Sequence, residues 1–127
     1  MTDKVFRERY KKLNAKQREA VDTIHGPVMV VAGPGTGKTS ILTLRIANIL
    51  KRTDTPADAI LALTFTEAGV ATMRKKLLEI IGPRAYEVRI HSFHSFANEL
   101  IKRYPEAFSR IIGAEHMETL EQVHIVE

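Results

Sequence analysis

The 127-residue sequence has no cysteine. That excludes a disulfide framework and any thiolate metal site. No apolar run approaches the length of a membrane span, and no secretory leader is legible at the start. A cytoplasmic, membrane-free protein is the expectation. No internal repeat and no low-complexity segment interrupts the chain. No Gly-x-Ser-x-Gly elbow is present, which argues against a serine hydrolase. His91 and His94 stand three apart, but no metal-ligand pattern continues from them. Aspartate is sparse: Asp3, Asp22, Asp54 and Asp58, none of which closes an apolar run.

What is there is ordinary in bulk. Apolar residues make up 44% and charged residues 27%, the balance of a single globular domain. The net charge of +4 suits a polyanionic partner without specifying one.

The informative stretch is Val28 to Thr39, VMVVAGPGTGKT. Val28 to Ala32 is apolar and β-branched, bounded by Gly26-Pro27, and predicts a short buried strand. Gly33-Pro34-Gly35-Thr36-Gly37 follows. Glycines allow positive φ, so the backbone N–H groups can turn inward around a phosphate. Lys38 offers a point charge to the terminal phosphates, and Thr39 a hydroxyl to Mg²⁺. Ile41, Leu42, Leu44, Ile46, Ile49 and Leu50 then predict a helix, whose positive end faces the same anion. The loop therefore predicts nucleotide binding.

Around it the pattern alternates. Residues 1–12 carry five basic and two acidic residues and read as a solvated basic helical arm. Leu13 to His25 predicts a helix capped by Asn14 and stopped by Gly26-Pro27. Gln17 falls on its apolar stripe of Leu13, Ala20, Val21 and Ile24. Two partners could satisfy that amide. It could reach back to the Asn14 backbone in a capping box, or read a nucleobase edge with its donor and acceptor. Ala59 to Phe65 predicts a second strand, Glu67 to Ile81 a helix ended by Gly82-Pro83, Glu87 to His91 a third strand, and Ser92 to Tyr104 a helix. The last helix has an apolar stripe of Phe93, Phe96, Ala97, Leu100, Ile101 and Tyr104, so both phenylalanines are read as packing residues. Thr119-Leu120-Glu121-Gln122 resembles a further capping box. Alternating strands and helices predict an α/β domain with a mostly parallel sheet. Ligands gather at the carboxyl ends of such strands. Those ends hold Gly33 onward, Thr64-Phe65-Thr66, and His91 to Ser95. Phe65 could stack on a base; His94 and Ser95, at a helix start, could meet a phosphate.

Four motifs in order now resemble the start of a UvrD/Rep-type superfamily 1 DNA helicase. LNAKQREAV is similar to the Q motif, AGPGTGKT to motif I, ALTFTEAGVATMRKKL to motif Ia and IHSFHSFANELIKR to motif Ib. The resemblance implies a RecA-like P-loop NTPase fold, three layers α/β/α, here with an incomplete sheet. It implies ATP and Mg²⁺ as ligands. Gln17 would read adenine. Ala32, Gly33, Pro34, Gly35, Thr36, Gly37, Lys38, Thr39 and Ser40 would line the nucleotide, with Lys38 and Thr39 serving the reaction. Thr64, Phe65, Thr66, Ser92, His94 and Ser95 would face single-stranded DNA. The implied activity is ATP-driven 3′→5′ translocation and unwinding at duplex junctions. The implied partners are DNA and the remaining helicase domains, with self-association through an unpaired sheet edge.

Two positions depart from the family's usual pattern. Motif Ia usually runs Thr-Phe-Thr-Asn-Lys-Ala; here it is Thr64-Phe65-Thr66-Glu67-Ala68-Gly69. After Thr39 the family often has a basic residue; here it is Ser40. Residues 1–12 would be the basic arm, 13–104 the motif-bearing core and 105–127 the start of a helical insertion. Hydrolysis needs a carboxylate after a further strand, and none is in place, so the chain alone is expected to be inactive. A free-standing nucleotide- or DNA-binding module and a small P-loop kinase are the alternatives; the four ordered motifs favour the helicase reading.

Overall fold

In the structure, a computed structural model, residues 3–33 and 37–108 are described. Helix α1 spans Asp3–Lys11, α2 Ala15–Asp22 and α3 Lys38–Arg52. Strand β1 is Leu61–Thr64, followed by α4 (Glu67–Ile81) and β2 (Arg89–Ser92). Helix α4 begins and ends where its sequence signals lie. Thr66 caps it, its hydroxyl accepting the Gly69 N–H at 2.9 Å. Gly82 closes it with φ +69, a backbone shape that side chains disfavour.

The core is the meeting of α4 with α3 and the strands. Met73, Leu77, Ile80 and Ile81 are buried on one face of α4, and Ile41, Leu44, Ala47 and Leu50 on α3. Each fully buried Leu or Ile is worth about 1.5–3 kcal/mol, so this set outweighs any single polar tie. β1 and β2 pair in parallel, Leu61 opposite Arg89 and Thr64 opposite Ser92. With α4 between them in sequence they form a βαβ unit. Arg74 holds the turn after α4 in place: one guanidinium nitrogen donates to Ala85 O at 2.5 Å and Val88 O at 2.7 Å.

Helix α2 is bound to α3 through its own end. The last carbonyls of a helix have no partner within it. Here Asn48 donates to Val21 O at 3.0 Å and Arg45 to Thr23 O at 3.1 Å. Residues 3–11 are helical but not a solvated arm. Val5, Phe6 and Tyr10 pack on the core, and Tyr10 donates its hydroxyl to Asp22 at 2.6 Å. That bond to a carboxylate holds the Tyr10 phenol above its usual range. Lys51 sits 5.0 Å over the Phe6 ring and 3.5 Å from Asp3. The charge count hid an apolar edge on this helix.

Other boundaries moved. Val28 to Ala32 is not a strand: it joins no sheet among the described residues. Met29 and Val31 are each 91% exposed. Apolar periodicity reports a wish for burial, whereas a strand also needs a neighbour for its backbone groups. α2 ends at Asp22, with Thr23 as its C-cap. Ala57–Ala59 and Gly82–Tyr86 are short 3₁₀ turns, and the strands run Leu61–Thr64 and Arg89–Ser92 in place of Ala59 to Phe65 and Glu87 to His91.

A second unit begins at Phe93. Of it, α5 (Phe93–Arg103) and the turn through Phe108 are described. The expected apolar stripe is present on α5, but none of its residues is buried, Phe93 and Phe96 included. The Thr119 to Gln122 motif lies outside the described residues.

Candidate nucleotide site and strand-end face

The helix start at Lys38 is built as the glycine pattern requires. Gly37 precedes it in the left-handed region, φ +76. That conformation suits glycine and lets the chain enter the helix directly from the loop. Ile41 N–H bonds to Gly37 O at 3.0 Å, the first bond of α3. The N–H groups of Lys38, Thr39 and Ser40 are therefore the donors that a helix start offers to an anion. Ala32 is half-buried and Gly33 exposed, both before the turn; Pro34, Gly35 and Thr36 lie outside the described residues.

Gln17 forms the capping box. It accepts the Asn14 N–H at 2.9 Å, and its own N–H bonds to the Asn14 side chain at 2.9 Å. It also lines an open cleft of about 630 Å³, shared with Leu13, Gly37, Ser40, Leu44 and Lys76. So Gln17 and the start of α3 face one cavity. Arg9, Lys12 and Lys75 lie on the same cleft, with Glu79 as its acidic residue. Arg9 bonds to Glu79, and this holds the Glu79 carboxyl below the usual range.

Lys38 lies elsewhere. It is exposed and lines a separate cavity of about 260 Å³ with Val28, Val30, Ile41, Leu42 and Arg45. Gly37, Ser40 and Leu44 mark one face of the helix, and Lys38, Ile41 and Arg45 another. The two cavities thus flank the helix start from different sides.

Thr39 is half-buried in the first turn, and its hydroxyl is a hard oxygen donor of the kind Mg²⁺ takes. Among the described residues no group of three or more His, Cys, Asp or Glu could hold a metal. A single hydroxyl of this kind suits Mg²⁺ only as one ligand among waters or other oxygens.

The strand ends form a second face. Thr64 and Ser92 are register partners. Thr64 and Thr66 are bonded to each other, the Thr66 N–H donating to the Thr64 hydroxyl at 3.3 Å. Phe65, between them, is 90% exposed. Ser92 is turned inward: it is 3% exposed and donates its hydroxyl to Glu67 at 2.6 Å. Of the six residues assigned to a DNA face it is the one that is buried. His94 is exposed and Ser95 half-buried in the first turn of α5, in the second unit.

Two contacts had no sequence signal. Gly69 stands where a Cβ would come within 2.4 Å of Thr64 Oγ1, so glycine is needed for the helix to approach the strand end. Lys76, thirty-six residues after Ser40, brings its ammonium 3.5 Å from the Ser40 hydroxyl.

The UvrD/REP helicase N-terminal domain profile matches residues 13–126. The ATP-dependent DNA helicase PcrA of Staphylococcus epidermidis is 38% identical over 93 residues, 73% of this chain and 13% of the relative. PcrA of Staphylococcus aureus is 36% identical over 91 residues, 72% of this chain and 12% of the relative. The chain thus spans about an eighth of the length of these relatives. With the profile covering nearly all of it, the chain belongs to the UvrD/REP helicase N-terminal domain family.

Proposed function

We propose that this chain is the ATP-binding part of an ATP-dependent DNA helicase, one that moves 3′→5′ along single-stranded DNA and unwinds duplex. The observation that carries the reading is the helix start at Lys38 with Gln17 on its flank. The free N–H groups and Lys38 receive the phosphates of ATP. Gln17 reads the adenine edge from the cleft side while keeping its role as a cap. Mg²⁺, held by the Thr39 hydroxyl and the phosphates, would neutralise charge on the terminal phosphates. Phe65 stacks on a base of the DNA strand, and the N–H groups at the start of α5 with His94 and Ser95 take a backbone phosphate.

The chain by itself binds nucleotide weakly and does not turn it over. No aspartate closes an apolar run, so no carboxylate stands ready to orient water. The remaining parts of the motor supply it, and they also pair with the open segment at Val28 to Ala32.

The experiment is titration of the 127-residue chain with fluorescent ATP and Mg²⁺, beside a steady-state ATPase assay with single-stranded DNA. Saturable binding lost in Lys38→Ala, without turnover, is the expected result. Unchanged affinity in Lys38→Ala removes the phosphate-loop assignment. DNA-stimulated hydrolysis by the chain removes the claim that it is inactive alone.

A further inference from the structure

We propose that Asn48 of α3 is a positioning residue for nucleotide: its bond to α2 sets the span between Gln17 and the helix start at Lys38, and so between the base and the phosphates of one ligand. This rests on the nucleotide reading above. Asn48 is 4% exposed, a polar side chain inside the core. Thr43, also buried on α3, bonds back to Thr39 O and Ser40 O of its own helix. Asn48 instead reaches across, its Nδ2 donating to Val21 O at 3.0 Å.

Apolar packing alone would hold α2 on α3 without fixing how far along it lies. Ala20 and Val21 are buried on α2, and Leu44 and Ala47 on α3. Burial of such groups is non-directional. A hydrogen bond is directional, and losing its donor leaves a buried carbonyl unanswered. A polar contact within an apolar seam can therefore fix register. Arg45 adds a tie in the same sense, donating from Nε and Nη2 to Thr23 O at 3.3 and 3.1 Å.

What this register places is the cleft. Gln17 lies one turn back from Val21; Leu44 lies one turn back from Asn48, and Ser40 two. Gln17, Leu44, Ser40 and Gly37 all line the same cleft. A slip of α2 by one residue along α3 would move Gln17 by about 1.5 Å relative to the helix start. A ligand that touches only one end does not register that slip. A ligand that joins both ends does.

Asn48→Leu fills similar space without a donor, and Asn48→Ala is the second variant, with the same expectation, should leucine not be accommodated. The test is NMR titration of the full 127-residue chain in Mg²⁺ with ADP, adenosine and inorganic pyrophosphate in turn. In the variants ADP affinity is expected to fall about tenfold, while adenosine and pyrophosphate each change by less than about twofold. Partial unfolding scales all three affinities alike, so the ratio of ADP to adenosine affinity reads the span itself. Unchanged ADP affinity overturns the proposal. So does loss of all three in equal ratio, the mark of a merely structural role. A wild-type chain that binds ADP no more tightly than its two parts has no span to set, and this too overturns the proposal. Absence of binding by all three ligands in wild type would instead remove the nucleotide reading itself, and this proposal with it.

Discussion

Ser92 donates its hydroxyl to the Glu67 carboxylate across 2.6 Å, tying the end of β2 to the first turn of α4. Glu67 also stands at the positive end of its helix, where a carboxylate is favoured. The unusual acid in this motif is therefore bound into the strand-end face. Glu67→Ala should lower stability by about 1–2 kcal/mol, and Glu67→Gln by less, since it keeps an acceptor. Chemical denaturation measures both. Because Ser92 engages this carboxylate, Glu67→Gln should leave Mg²⁺-nucleotide binding unchanged. A loss of Mg²⁺ dependence in that variant would make Glu67 a metal ligand.

Gln17 separates two roles that alanine would merge. Gln17→Glu keeps an acceptor for the Asn14 N–H and places a charge where the helix end favours it. Its stability should match wild type, while preference for ATP over GTP should disappear. Gln17→Ala should lose both, at a stability cost of about 1 kcal/mol. Undiminished base discrimination in Gln17→Glu would leave Gln17 as a cap alone.

The Arg9 to Glu79 bond gives the packing of α1 on α4 an acid limit. The folded Glu79 carboxyl titrates below its unfolded value. Its contribution is therefore complete above the unfolded glutamate range and is lost as pH falls through the lower, folded value. The pair is exposed, so the effect is small and shrinks with salt. Thermal melts of wild type and Glu79→Gln should converge in acid and separate slightly near neutrality, less so at high ionic strength. A constant gap at all pH values would show that Arg9 does not gain from the charge.

Met29 and Val31 leave an apolar segment open on the outside of the chain. Unpaired extended backbone with apolar side chains is a template for strand addition. The purified chain should self-associate with rising concentration, and Met29→Lys with Val31→Lys should shift it toward monomer. Sedimentation at two concentrations decides; equal association by both forms would exclude this segment.

The segments that were legible in sequence are those whose signals are local. Asn14 with Gln17, and Thr66 before Glu67 with Gly82 after Ile81, announce their helices within a few residues, and the structure keeps both. Val28 to Ala32 carries the same kind of apolar signal, yet a strand is a property of two segments, and its partner is not among the described residues. Gly69 has no local signal for its place; it is Thr64 beside it that leaves no room for a Cβ. Lys76 lies largely off the apolar face of its helix in sequence; only the packing of α4 on α3 sets it next to Ser40.

Three arginines among the described residues bind backbone carbonyls. Arg18 donates to Lys11 O at 2.9 Å, Arg45 to Thr23 O and Arg74 to Ala85 O and Val88 O. These guanidinium groups act as struts that bind carbonyls between elements. Lys12, Lys75 and Lys76 instead line the cleft. Bulk charge does not register this division. Arg74→Lys leaves the net charge at +4, yet the shorter lysine side chain does not carry its ammonium as far as the guanidinium nitrogen that meets both carbonyls, and the turn before β2 would be held less firmly. Two sequences of the same formal net charge could therefore differ in how firmly the strand-end face is held.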